Sequence, residues 1–200
     1  MRWARALQAL AQTGLTYADS PYDRERYQAV QRIAAEMAAT ATGEGPAELL
    51  AAFADESGYR TPKVDVRGVV LVEDRVLLVR EPGSNGWCLP GGWADVGETP
   101  TQAVTKEVRE EAGVDVRAVR LLGVFDRDFR GRLRWPAHVY KLYVLCERIR
   151  GEPVADGVET EAAAFFSRAR LPRLSEKTPL DQLERALAVA LDASKPAALD

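Results

Sequence analysis

The chain has 200 residues, 46% of them hydrophobic and 28% charged, with a formal net charge of −3. That supplies apolar material for one or two cored domains, and the slight acidity does not favour a general role on nucleic acid or membrane surfaces. No apolar run is long enough to span a bilayer, and one histidine (His138) with two cysteines (Cys88 and Cys146) cannot build a zinc cluster of recognised spacing. Both cysteines fall in strand-like runs and read as buried, reduced thiols. The opening MRWARALQALAQTG carries two arginines and no acid, but Gln8 and Gln12 interrupt its apolar stretch, which argues against a secretory signal. A cytoplasmic protein is expected.

Residues 1–59 read as a small, separate helical domain. Trp3, Leu7 and Leu10 recur at helical spacing. Ser20-Pro21 followed by Asp23 suits a helix start, and Tyr27, Val30, Ile33, Ala34 and Met37 continue an apolar stripe to about Met37. Gly43 to Gly45 break the chain, and Pro46 to Ala54 predict a third short helix. So small a unit buries little by itself, so it should pack on the rest of the chain or on a second subunit; a homodimer is expected. Its acids (Asp19, Asp23, Glu25, Glu36, Glu44, Glu48, Asp55, Glu56) outnumber its arginines, against a DNA-reading surface.

From Lys63 the period changes. Val64, Val66 and Val69 to Val72 predict a strand, Glu73-Asp74 a turn, and Val76 to Arg80 a second strand. Pro82 to Gly86 read as a loop and Trp87 to Leu89 as a short strand. Val116 to Phe125 and His138 to Cys146 predict two longer strands, Phe165-Phe166 a last one, and Pro179 to Leu191 a closing amphipathic helix. The tail ASKPAALD reads as frayed. Strands interleaved with helices predict an α+β domain over 60–195, a mixed sheet sandwiched between helices.

The most informative stretch is Gly91 to Val114, GGWADVGETPTQAVTKEVREEAGV. Its glycine pair leaves the backbone open to a ligand. Pro100 suits a first helical turn and Gly113 a left-handed stop. On that helix Glu107, Glu110 and Glu111 fall within an arc of about 100°. Carboxylates so placed repel one another unless a cation sits among them, and oxygen donors suit Mg²⁺ or Mn²⁺. Val104, Val108 and Ala112 take the adjoining sector and should bury it against a sheet.

The conjunction resembles the Nudix box: Gly, five residues, Glu, seven residues, then Arg-Glu-apolar-any-Glu-Glu-any-Gly-apolar. Gly92, Glu98, Glu107, Val108, Glu110, Glu111, Gly113 and Val114 match, and Lys106 stands where the family has Arg. Lysine lacks the guanidinium fork, so Lys106, paired with Glu98 or Glu110, should hold the loop less rigidly. The runs WARALQALAQTGLTYADSPYDRERY and FFSRARLPRLSEKTPLDQL resemble the Nudix branch with a helical N-terminal domain, to which bacterial CDP-choline and ADP-ribose pyrophosphatases belong. The resemblance implies an α/β/α Nudix sandwich that hydrolyses a nucleoside diphosphate linked to another group. It further implies Glu107, Glu111 and Glu110 as metal ligands with the Gly91 carbonyl, Glu98 as a further ligand or loop clamp, and a general base on the loop before the last strand. Glu159 and Glu161 occupy that loop, with Glu110 as their rival.

For substrate contacts the candidates are Arg80, Trp93, Arg127 and Tyr140. Arg127, Arg130, Arg132 and Arg134 gather with Trp135 about Gly131, either as a phosphate clamp or as a solvated hairpin tip. Trp93, Phe125 and Tyr140 could stack on a base or belong to the core. Asp126 and Asp128 could meet ribose hydroxyls or balance the arginines. Two other activities stay open on sequence alone: hydrolysis of nucleoside triphosphates or RNA ends, and nucleotide sensing without cleavage.

Overall fold

The computed structural model describes residues 2–54, 58–127 and 138–200. The described chain divides into two compact units, one holding three helices and the other a sheet with two.

In the helical unit, α1 (Arg2–Tyr17), α2 (Pro21–Thr42) and α3 (Pro46–Ala54) follow one another through short breaks. Pro21 opens α2 with its φ preset for a helix, and Gly43 ends it at φ 83°, its N–H donating to the Ala39 carbonyl. Helix α2 therefore runs a turn beyond the expected Met37, because nothing before Gly43 stops it. The faces these helices bury are built from small residues: Ala4, Ala35 and Ala38 pack with Leu49 and Phe53. Alanines let helices approach closely at little entropic cost. The bulkier stripe read from the sequence lies elsewhere, with Trp3, Leu10, Ile33 and Met37 exposed.

The second unit is a mixed six-stranded sheet, in the order β5-β2-β1-β4-β3-β6, among the described residues. Strands β1 (Lys63–Val72) and β2 (Arg75–Arg80) form a hairpin in register Leu71↔Val76, its turn carrying Glu73 at φ 57°. Strand β5 (Ala162–Ser167) pairs antiparallel with β2. Strands β3 (Asp115–Asp126) and β4 (Val139–Arg150) pair antiparallel, with register shifts at three points. Trp87 and Cys88 make only isolated bridges, to Leu174 and Val79. The tail is not wholly frayed: Ala198–Leu199 forms β6, parallel to β3, and the Asp200 carboxylate accepts the Asp126 N–H. Two apolar residues pairing with a strand edge outweighed the polar flank that suggested fraying.

Helix α4 (Pro100–Ala112) covers one face of this sheet and α5 (Leu180–Ala190) the other. Alternation along β1 sends Val66 and Val70 toward Val104, Val108 and Ala112 of α4, and Val69 toward Leu183 and Ala186 of α5. Helix and sheet approach so closely at Gly68 that a Cβ there would lie 2.4 Å from a methyl of Val108. Cys88 and Cys146 are buried free thiols in the α4-side core.

Candidate active site

The α4 helix is fixed at both ends. Thr99 Oγ1 accepts the Gln102 N–H at 3.2 Å while Gln102 Oε1 accepts the Thr99 N–H at 2.9 Å, satisfying orphan donors of the first turn. Gly113, at φ 68°, returns its N–H to the Arg109 carbonyl. With Ala103, Val104, Val108 and Ala112 buried, Glu107 and Glu111 are carried one turn apart along the flank of the buried face.

The glycine pair makes this flank usable. Residues 90–94 run along β1: Gly68 N–H donates to the Pro90 carbonyl, Val66 N–H to Gly92, and Ala94 N–H to Val64. At Gly91, φ is 142° and a Cβ would sit 2.0 Å from the Val66 carbonyl oxygen, so no side chain fits. At Gly92 a Cβ would lie 2.7 Å from Glu107 Oε2. The loop thus lies against the carboxylates, and Gly91 N–H donates to Glu111 Oε2 at 2.8 Å.

Burial raises the Glu111 carboxyl to about 7, against the opposing pull of the Gly91 N–H and the Arg67 guanidinium. Burial likewise raises Glu107, with Lys106 drawing it down and the charges of Glu159 and Glu110 adding to the rise. Glu110 itself is exposed, 3.9 Å from Arg109. Among the described residues, no three His, Cys, Asp or Glu side chains converge as a self-contained cage. A partly desolvated pair is nevertheless what Mg²⁺ uses, since it is commonly bound by one or two carboxylates and completed by waters and substrate phosphates. The donor set fits a dication of that kind.

Lys106 Nζ lies 2.8 Å from Asp95 Oδ2 and 3.0 Å from Glu98 Oε1. One ammonium therefore ties two carboxylates of the loop back to α4, and Glu98 is occupied by that contact. Arg80 pairs with Glu161 at 2.7 Å and lies 5.3 Å from the Trp87 ring. Trp93 and Tyr140 are each part-exposed, whereas Phe125 is fully buried edge-on against Tyr143. Arg127 is half-buried where β3 ends, its N–H donating to the Val139 carbonyl. Asp128, Arg130, Arg132, Arg134 and Trp135 lie outside the described residues.

Sequence reasoning missed a buried polar cluster beside the site. Asp65 and Arg67, both on β1 and sharing the parity of Val69, face each other in a two-pronged contact at 2.7 Å and 2.7 Å. The third arm of Arg67 donates to the Leu89 carbonyl at 3.0 Å, just before the glycine pair. Lys141, on β4, is fully buried, its ammonium donating to the Lys177 carbonyl. The signal was present: two charges spaced i, i+2 in KVDVRGVVLV place an ion pair on one face of an otherwise apolar strand. The loop between β4 and β5 was read as the carrier of Glu159 and Glu161, but its fastening was missed: the Thr160 hydroxyl donates to the Glu111 carbonyl at the end of α4, and Asp156 accepts the N–H groups of the turn.

The sheet with a helix on each face, and an acidic helix flank under a glycine loop, define the class. Residues 61–187 match the NUDIX domain, and residues 1–53 match the UDP-X-like, N-terminal oligomerisation domain. The Bacillus subtilis protein YjhB, named for ADP-ribose pyrophosphatase activity, is 41% identical over 174 residues, 87% of this chain and 83% of its own length. An ADP-ribose pyrophosphatase of Methanocaldococcus jannaschii is 35% identical over 123 residues, 58% of this chain and 69% of its own length. A solved structure of a UDP-X diphosphatase superposes with a TM-score of 0.65 at 32% identity, covering 100% of this chain and 97% of that one. This chain belongs to the Nudix hydrolase family, and its N-terminal helices match the oligomerisation domain that precedes some Nudix domains.

Proposed function

We propose that the chain hydrolyses the pyrophosphate bond of a nucleoside diphosphate linked to a second group, using Mg²⁺ or Mn²⁺. The products are a nucleoside monophosphate and the phosphorylated second group. The observation that carries this reading is the Glu107–Glu111 pair, desolvated and tucked under a side-chain-free Gly91-Gly92 backbone. Two carboxylates held at that cost are explained by a bound dication, and a diphosphate needs its charge neutralised before an oxygen nucleophile can approach.

In this reading Glu107 and Glu111 hold the metal with the Gly91 carbonyl, and Glu110 adds a carboxylate at the rim. When bound, the metal would supply an acidified water and offset charge on the phosphates. Lys106 fixes Asp95 and Glu98, keeping the loop over the carboxylates. Glu159 takes the proton of the attacking water. It is preferred to Glu161, which is spent on Arg80, and its charge already acts on Glu107. Arg80, Trp93, Arg127 and Tyr140 are the side chains proposed to meet the nucleotide. ADP-ribose follows from the names of two relatives, UDP-linked compounds from the name of the structural neighbour, and CDP-choline from the branch resemblance.

The test is a panel of ADP-ribose, UDP-linked sugars, CDP-choline, nucleoside triphosphates and capped RNA with each metal, resolving the products. Monophosphate formation from a linked diphosphate is expected. Inorganic pyrophosphate released from triphosphates as the dominant product would replace this reading with a triphosphate-directed one.

We also propose a homodimer, with residues 1–59 as the association domain and 60–195 as the catalytic one. Trp3, Leu10, Tyr17, Tyr22 and Ile33 are exposed on the helical unit, apolar side chains that a second copy would cover. Light scattering at micromolar concentration should give twice the 22.0 kDa chain mass. A Trp3→Glu/Ile33→Glu variant should scatter as a monomer; a parent that is itself monomeric removes the proposal.

A further inference from the structure

The loop between β4 and β5 is fastened to α4 at the point where the helix backbone runs out of partners. The last carbonyls of a helix have none inside it. Here Gly113 N–H takes Arg109, Val154 N–H takes Ala112 at 2.9 Å, and the Thr160 hydroxyl donates to Glu111 at 2.7 Å. Thr160 is completely buried. The loop between these two fastenings is wound round one side chain: Asp156 Oδ1 accepts the N–H groups of Val158, Glu159 and Thr160 at 3.1, 3.0 and 2.8 Å. Gly157, at φ 78°, closes the turn by donating to the Thr160 carbonyl. On the far side Glu161 N–H donates to the Arg80 carbonyl at 2.8 Å, so the segment is pinned to β2 as well.

We infer that Thr160 is a positioning residue: its hydroxyl, with the turn organised by Asp156, locks the loop to the Glu111 carbonyl so that Glu159 faces the Glu107–Glu111 carboxylates. The inference rests on the reading of Glu159 as general base. The same residue, Glu111, then offers its carboxylate to the site and its backbone oxygen to the loop, so the acidic helix and the base move as one body. The three N–H bonds hold the Asp156 carboxyl down to about 2, first through Thr160 and then Glu159, so the turn stays formed across the working pH range. A glutamate on an exposed loop otherwise samples many rotamers, and misplacing a catalytic group by an ångström can cost about a hundredfold in rate.

The experiment compares Thr160→Val, which removes the hydroxyl at constant volume, with Thr160→Ser, which keeps it, and with Glu159→Gln and the Glu159→Gln/Thr160→Val double variant. Kinetics are read with ADP-ribose, or with whichever linked nucleotide of the panel turns over fastest. Thr160→Val should lose about ten- to a hundredfold in kcat with KM within about twofold, and Thr160→Ser should return to within about threefold of the parent. In the metal-free protein, amide exchange at Val158 to Thr160 should quicken in the valine variant while α4 is unchanged. A residue acting through Glu159 adds nothing once Glu159 is gone, so the double variant should match Glu159→Gln alone. Parental kcat in Thr160→Val, unchanged loop exchange, or losses that multiply in the double variant each overturn the inference with the base reading intact. Parental kcat in Glu159→Gln overturns the base reading, and this inference with it.

Discussion

Glu111→Gln is expected to abolish turnover to within about a thousandth of the parental rate or less while making the metal-free protein more stable at alkaline pH. Both effects come from one carboxylate. Its folded-state value is about 7, against an ordinary 4.5, because burial penalises the anion. Between those values the folded chain holds a proton the unfolded chain has released, so stability falls as pH rises through that window. The penalty is complete above pH 7 and absent below about 4.5. Glutamine has the same shape, still accepts the Gly91 N–H, and carries no charge to desolvate. At pH 8 the variant should therefore gain on the order of 3 kcal/mol, with the two proteins converging near pH 4.5. Adding Mn²⁺ at pH 8 should raise the melting temperature of the parent and leave the variant unmoved, because a ligand stabilises only the state that binds it. A variant that turns over normally, or that Mn²⁺ stabilises as much as the parent, would remove Glu111 from the site.

How much of this was legible in the chain follows from the physics of each element. Helix α4 was fully written: proline at its start, glycine at its left-handed stop and valines at helical spacing are local signals, and local signals need no knowledge of the fold. The glycine pair was legible as open backbone, but the reason Gly91 tolerates nothing larger, the Val66 carbonyl, depends on a strand 25 residues away. In the helical unit, sequence reasoning followed the bulky residues, whereas the helices join through alanines; hydrophobicity alone does not say which of two faces is the inner one. The Lys106–Glu98 contact was legible from the spacing, whereas the second partner, Asp95, needed the loop geometry. Thr160 was illegible, because a threonine in a polar loop gains meaning only when its hydroxyl meets a helix carbonyl 49 positions earlier.

Asp65→Ala is expected to cost about 3–5 kcal/mol by stranding a buried cation. Asp65 sits among three: Arg67, Lys141 and Arg127. Burial pushes its carboxyl up, but Arg67 and then Lys141 outweigh it and hold it below the usual range. Arg67 cannot shed its proton to escape, so without Asp65 it keeps a desolvated charge and, among the described residues, the Leu89 carbonyl as its hydrogen-bond partner. Lys141 can, and burial with the neighbouring Arg67 charge has already lowered it to about 7 from 10.5. Its cost is therefore complete below pH 7 and relieved as pH rises toward 10.5, the unfolded chain being the better proton binder in that window. Lys141→Met should consequently stabilise the protein at pH 6 and confer progressively less by pH 10. Urea titrations of both variants at pH 6, 8 and 10 separate the possibilities. A loss below about 1 kcal/mol in Asp65→Ala would mean that the cluster is wet and its charges screened. Because the Arg67 arm on Leu89 also restrains the segment leading into Gly91, the variant should lose kcat at temperatures where it is still folded. Fold stability and the placement of the Gly91-Gly92 backbone would then share one buried ion pair.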